Sequence, residues 1–299
     1  MLWEGRGPAV LQYVANGIVV GAIIAVAAIG LTLVYSILRL TNFAHGDFVT
    51  LGAYTALFIN LGLGWRPAAA LPVAFVVGAA LAILLELLVW RKMRQMRASM
   101  VALIVASIGV ALALRNLLVF FYGPSPQNFQ QPVQRATPFL GLPVTMTADQ
   151  QFALVASVVL VLAVHALLRY TTLGKTMRAL SDNTDLAWVS GIDVDRVVTW
   201  TWIIGGGLAA VGGVLYGMTR PLYPELGWHL LLPLFAAIIL GGIGHPYGAI
   251  AGGFLIGIVQ EVSVYFGVPV EYKIAVGFVA MIVALLLFPR GLFGEASYR

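Results

Sequence analysis

Few side chains in this 299-residue sequence could do chemistry, and their spacing limits what kind. The four histidines, His45, His165, His229 and His245, show no metal-ligand spacing, so no metal site is expected. His45 and Asp47 flank one glycine in the stretch Asn42 to Asp47, and His245 lies in the glycine-rich stretch Gly241, Gly242, Ile243, Gly244, His245, Pro246, Tyr247, Gly248. Such breaks in an apolar run can expose backbone groups to a polar cargo. The plainer account is that their polar side chains satisfy turn backbone. Leu173-Gly174-Lys175-Thr176 contains the GKT of a phosphate-binding loop, but Arg169 stands where that pattern needs its first glycine, and an apolar helix precedes it in place of a strand. Gly205 to Ala210 mimics a dinucleotide fingerprint inside an apolar run, where helix packing is the expectation. No nucleophile and base stand together, so no catalytic residue is expected.

The remaining polar constellation is a charged island from Gly174 to Ile192 between two long apolar segments. Met177, Leu180, Thr184 and Ala187 fall at helical spacing, and Arg178, Asp182 and Asp185 take the other face. A connection between two membrane spans needs only a few residues, so a longer one with a helix of its own predicts a docking surface for a soluble partner.

The elements that must position these residues follow from composition. The chain is 61% hydrophobic and 10% charged, against about 25% charged for ordinary globular domains, which makes it a polytopic membrane protein. It has no cysteine, which excludes disulfides, zinc–thiolate sites and iron–sulfur clusters. Its net charge of +5 lies beside the spans, suiting anionic lipid headgroups, and no nucleic-acid partner is expected. Ala25-Val26-Ala27 has the look of a signal cleavage site, but Glu4 offsets Arg6 and the apolar run continues to Leu38, so the first segment is expected to stay.

A spanning helix needs about 20 mostly apolar residues. Eight runs qualify, near 9–38, 47–63, 67–90, 100–122, 151–169, 197–219, 230–266 and 269–288. The expected fold is therefore an all-α helical bundle forming one transmembrane domain over 1–299, with interruptions near 42–47 and 241–248. The seventh run is too long for one crossing and is read as two arms meeting at the glycine-rich turn. Arg91, Lys92, Arg94 and Arg97 mark an inner loop. Counting from there puts the island within 170–196 inside, the proline-rich stretch 123–150 outside, the N-terminus outside and the tail after Pro289 inside. Eleven of the 17 Lys and Arg then lie on inner loops, as the positive-inside rule requires.

Glu86, Arg115, His165 and Glu261 lie within about two turns of span ends, so they are expected to snorkel to the interface, with no carboxylate near the midplane. A proton- or sodium-coupled carrier places ionisable groups there, so energy is expected to enter from elsewhere. Gly17/Gly21, Gly213/Gly217, Gly248/Gly252 and Gly253/Gly257 are small-xxx-small pairs expected to let helices approach closely. At an offset of 200, His45 meets His245 and Gly52 meets Gly252, a hint of duplication.

Four segments carry a resemblance: GLTLVYSILRLTNFAHGDFVTLGAY at 30–54, LGKTMRALSDNTDLAWVSGI at 173–192, LGGIGHPYGAIAGG at 240–253 and FPRGLFG at 288–294. With them, the whole chain resembles the permeases of branched-chain amino acid ABC importers, specifically the smaller of the two Liv-type permeases. The resemblance implies a bacterial inner-membrane subunit that pairs with a second homologous permease, two cytoplasmic ATPases and a periplasmic binding protein. It implies that ATP is used by the partner ATPases and that this chain binds no cofactor. It carries the ATPase-contacting loop onto Gly174, Arg178, Ala179, Asp182, Asn183, Ala187, Gly191 and Ile192, with Lys175 in the same stretch. Trp188, Asp193 and Asp195 match no family pattern. Asn42, His45, Asp47, Gly241, Gly242, Gly244 and His245 are the candidates for the translocation pathway. The alternatives left open are a permease of the same family for urea, short amides or another small polar solute, and an ion-coupled secondary carrier.

Overall fold

The computed structural model describes residues 6–132, 134–139, 141–288 and 291–293, with side chains from residue 10 onward. Pro289 and Arg290, the end of the tail and the first five residues lie outside the described residues, and with them the expected positions of the chain ends.

The chain folds as helices joined by short connections, apart from a long one over 123–147. The first, α1 (Arg6–Leu38), is 33 residues long and carries no charged residue after its first. A helix that is apolar all round must be enclosed by others or by lipid, and α1 is enclosed: Ala25, Val26 and Ala28 are wholly buried. A connection through Arg39, which takes a positive φ of 51°, leads into α2 (His45–Leu63). A 3₁₀ turn at Pro67–Ala70 starts α3 (Leu71–Leu85), which continues through a π turn at Glu86–Trp90 into the short basic α4 (Arg91–Gln95). Next come α5 (Met100–Tyr122), a two-residue hairpin of β1 (Thr137–Pro138) and β2 (Thr145–Met146), and α6 (Ala148–Tyr170). A capping box between Thr147 and Gln150 opens α6. The island folds as α7 (Thr172–Asp182) and α8 (Thr184–Val189), after which α9 (Val194–Gly217), α10 (Leu226–Gly241), α11 (Pro246–Tyr265) and α12 (Lys273–Leu287) complete the bundle.

Among the described residues eight helical segments are long and apolar enough to cross a membrane, and α10 adds a shorter apolar one. The two expected interruptions are places where one helix ends and another begins. Residues 39–44 connect α1 to α2, and Gly242 to His245 form the turn of the α10–α11 hairpin, with Gly242 and Gly244 at positive φ of 105° and 86°. The seventh apolar run is thus two packed arms.

At the centre α1 and α9 lie against each other, with α2, α3, α10 and α11 packed around them. Glycines make this closeness possible. A Cβ on Gly17 or Gly21 would meet the α11 backbone at Ile258 and Phe254. The run Gly205-Gly206-Gly207 serves two neighbouring helices: Gly205 faces Gly30 of α1, while Gly206 and Gly207 face Gly78 and the Phe75 ring of α3. The nucleotide-like fingerprint is therefore a packing device, as its setting in an apolar run predicted. Trp90 and Trp202 stack 6.2 Å apart with rings 6° from parallel, fixing the end of α3 to α9. The outer helices α5, α6 and α12 bury little of themselves, leaving apolar faces for lipid or for another subunit.

Candidate functional site

The two ends of the bundle differ in kind. One carries the connection 123–147 and its β hairpin. The other carries α7, α8, the basic turn after α4 and the turn of the α10–α11 hairpin.

On the second end the island is held by caps written into its sequence. The Thr171 hydroxyl accepts from the Gly174 amide at 3.0 Å, Asn183 Oδ1 from the Leu186 amide at 2.9 Å, and Asp193 Oδ1 from the Arg196 amide at 3.0 Å. Asn183 is extended, with φ −154°, so the single helix expected over the island is split in two. The signal was present in Asn183-Thr184-Asp185, a helix start with an acidic first turn. After α8, Gly191 takes φ 81° and lets the Ile192 amide reach back to the Ala187 carbonyl at 3.1 Å.

The expected apolar stripe is largely where its spacing put it. Gly174, Met177, Leu180 and Ala187 are buried, while Thr184 is exposed. Lys175, Asp182, Asn183 and Gly191 are exposed, and Ala179 and Ile192 are half-buried. Arg178 is exposed, as its face of the island predicted, and it also has a partner within the chain. Its guanidinium turns back and donates to the Leu168 carbonyl in the last turn of α6, where a cation offsets the helix dipole. Arg178 thus serves the body of the protein as well as its surface. Three residues of α8 were missed: Leu186, Trp188 and Val189 are 61%, 71% and 69% exposed. Three large apolar side chains on a six-residue helix, beside exposed charges, make an exposed apolar patch.

Gly174 fixes how this surface meets the body. A Cβ there would run into the backbone of Leu167 and Leu168, so α7 can seat on α6 only with glycine at this position. In Gly174→Val, α7 is expected to lift off and expose Leu180. The chain lacks cysteine, so a single Leu180→Cys reports cleanly. Its labelling by a water-soluble maleimide should be slow in the parent and at least ten-fold faster when combined with Gly174→Val; equal rates would show that α7 seats without the glycine.

The hairpin turn sits beside α7. A cavity of about 370 Å³ is lined by Ser36, Met177, Arg178, Asp182, Gly244 and His245 among others. The His245 ring stacks on Phe293 at 5.8 Å, and His165 Nδ1 lies 2.9 Å from the Tyr247 hydroxyl. Gly241 and Gly248 pack backbone to backbone. The other candidate pathway residues lie elsewhere. Asn42 and His45 are wholly buried, and His45 Nε2 lies 3.0 Å from the Ala27 carbonyl. Gly244 approaches α1 at Ser36 instead, nine residues or about 13 Å further along at about 1.5 Å per residue. The structure does not bring the two sets together.

Asp47 overturns the expectation that no carboxylate lies near the midplane. Ala27, beside His45, is eleven residues from the end of α1, about 16 Å, which is half of an apolar layer about 30 Å thick. One turn of α2 carries both His45 and Asp47, so the carboxylate is deep. Its partner is Arg115 of α5, 3.7 Å away, whose guanidinium also lies 4.9 Å from the centre of the Trp228 ring. Arg115 does not snorkel, because an inward partner is nearer than the interface. Glu86 likewise pairs with Arg94, and Glu261 with Arg220 and Lys273. A sequence shows the distance from each charge to its helix end, whereas the fold decides whether an opposite charge is closer.

Residues 13–285 match the family model described as branched-chain amino acid transport system / permease component. The chain belongs to that family. It is 34% identical to the high-affinity branched-chain amino acid transport system permease protein LivH of Escherichia coli, over 95% of this chain and 96% of that protein. It is 30% identical to BraD of Pseudomonas aeruginosa, a permease protein of the same kind of system, over 95% and 96%. The ribose import permease protein RbsC of Escherichia coli is 24% identical over 88% and 81%. Among solved structures, PsaBC from Streptococcus pneumoniae in complex with Fab superposes with a TM-score of 0.53 over 94% of each chain at 13% identity, a likeness of fold alone. The permease family thus spans both the buried charge pair and the two-helix island, and the four motif-bearing segments lie within the match except for the tail.

Proposed function

We propose that this permease is the membrane subunit of an ATP-driven importer of branched-chain amino acids in a bacterial inner membrane. Its energy comes from two separate cytoplasmic ATPases, its substrate from a periplasmic binding protein, and its pathway is shared with a second homologous permease. The chain itself binds neither nucleotide nor metal. The end bearing α7 and α8 faces the cytoplasm, in keeping with Arg91, Lys92, Arg94 and Lys175 at that end.

One observation carries this reading: α7 and α8 are capped by Thr171 and Asn183, pack on α6 and α9 with Met177, Leu180 and Ala187 buried, and leave Leu186, Trp188 and Val189 exposed. A lever needs a rigid root and a grip, and this unit has both. When the ATPases close on ATP, the grip moves, and α6 and α9, joined to it by Thr171 and Asp193, tilt with it. The coupling requires that the ATPases bind two permease states unequally. The test is uptake of L-leucine by proteoliposomes holding both permeases and both ATPases, with binding protein outside. Uptake is expected to require enclosed ATP and to be blocked by excess isoleucine or valine but not by urea or ribose.

The buried Asp47 keeps a second reading, an ion-coupled carrier, in view. Uptake driven by a proton or sodium gradient without ATPases would establish that reading in place of the first.

A further inference from the structure

A second cluster of charges lies at the opposite end of the bundle, where α9 and α11 end and α12 begins. Both oxygens of buried Glu261 are taken, Oε1 by Arg220 Nη2 at 2.9 Å and Oε2 by Lys273 Nζ at 2.7 Å. Among the described residues Arg220 and Lys273 each give one hydrogen bond, both to Glu261, which leaves further donors on each cation. Next to Glu261 on α11, Gln260 is only 6% exposed, and its amide Nε2 finds no acceptor among the described residues. Both Gln260 and Lys273 line one cavity of about 250 Å³. Its floor is apolar, built from Val20, Ile24, Leu230, Pro233 and Ile274, and its rim carries Arg220, Lys273, Glu271, His229 and Tyr223. Tyr223 adds a neutral phenol hydroxyl, and burial pushes its pKa further above the usual value.

We infer that this cavity is a seat for a small amphipathic zwitterion, a free amino acid with an apolar side chain. The carboxylate lies against Lys273, Arg220 and the Gln260 amide, the ammonium faces Glu271 at the rim, and the side chain enters the apolar floor. The cavity is smaller than the roughly 300–1,000 Å³ that takes a drug-sized ligand, which suits a molecule of this size. The inference rests on the proposed function for its orientation, since the cavity then opens on the external side. There it is a first seat for substrate entering the permease. A phospholipid headgroup offers the same anionic oxygens from another source, and the experiment separates the two.

The complete transporter is placed in nanodiscs of phosphatidylcholine, and acetylation of Lys273 by acetic anhydride is followed by mass spectrometry, with exposed Lys92 as the internal reference. Millimolar L-leucine is expected to slow Lys273 at least five-fold relative to Lys92. Leucinol, which lacks the carboxylate, should not protect. Gln260→Leu, similar in volume, is expected to abolish protection and to raise KM for uptake at least ten-fold with kcat within two-fold. If that variant fails to assemble, Glu271→Gln, at the exposed rim, should weaken protection by leucine but not by 4-methylvalerate, which has no ammonium. ATP-driven leucine uptake with no protection by leucine would overturn this seat while leaving the proposed function standing. Protection by phosphatidylglycerol discs and not by leucine would overturn it in favour of a lipid headgroup. Absence of leucine uptake together with absence of protection would remove both readings.

Discussion

Arg115→Met is expected to lower the stability of the permease by about 3–5 kcal/mol, because it strands the Asp47 carboxylate in the apolar interior. The side chain of Asp47 is completely buried, and among the described residues no donor reaches either of its oxygens within hydrogen-bond distance. What holds the charge is the guanidinium 3.7 Å away, itself only 14% exposed. The loss should also loosen α5, which touches the body mainly along α2: Ser107 accepts from the Phe43 amide at 3.2 Å, and Tyr122 meets Tyr54 at 4.9 Å between rings. Asp47→Asn combined with Arg115→Met should recover most of the loss, since removing both members of a buried pair is far less costly than removing one. Thermal unfolding of the purified permease in mild detergent gives the comparison. Equal melting temperatures for the single variant and the parent would mean that Asp47 is not held as an ion in the folded protein. If the double variant is stable and yet transports nothing, the pair acts in the transport cycle as well as in folding.

The second large effect is expected at α8. Replacing Leu186, Trp188 and Val189 by serine together should abolish ATP-dependent uptake while leaving the permease folded. These side chains are more than half exposed and contribute little to the core, whereas buried Ala187 continues to anchor the helix. An exposed tryptophan of this kind is the residue type most enriched among contacts worth about 2 kcal/mol or more at interfaces, which corresponds to roughly a 30-fold loss in affinity. The measurement is co-purification with the ATPases, alongside ATP hydrolysis and leucine uptake by the reconstituted assembly. Trp188→Ser alone should weaken co-purification. Undiminished uptake by the triple variant, at parental melting temperature, would place the grip elsewhere. Arg178 makes a poorer test of the same idea, because its bond to the Leu168 carbonyl means that a charge reversal there disturbs the root of the lever and its surface together.

Much of this architecture was legible in the residues. An apolar run of sufficient length can only cross a membrane or be enclosed by other helices, so the spans appear as composition. Gly17, Gly21, Gly253 and Gly257 announce a close helix crossing by their spacing alone, and the crossing of α1 and α11 is where they meet. The island was visible because charges interrupt an otherwise oily chain, and Met177, Leu180 and Ala187 revealed its buried side by their period. Less legible was what the island shows to the outside. Leu186, Trp188 and Val189 look like core residues in a sequence, yet they are exposed on a helix separated from α7 by the extended Asn183.

The sequence by itself determined that this is a thiol-free helical membrane protein with a polar unit on one end, because hydropathy, glycine spacing and capping residues act within a few residues of chain. Only the tertiary structure decided which charges meet. Asp47 and Arg115 are 68 positions apart, and Glu261 takes one partner from the connection after α9 and the other from the start of α12. The cost of a buried charge depends on what packs beside it in space, and packing in space is a property of the assembled helices that no local pattern contains.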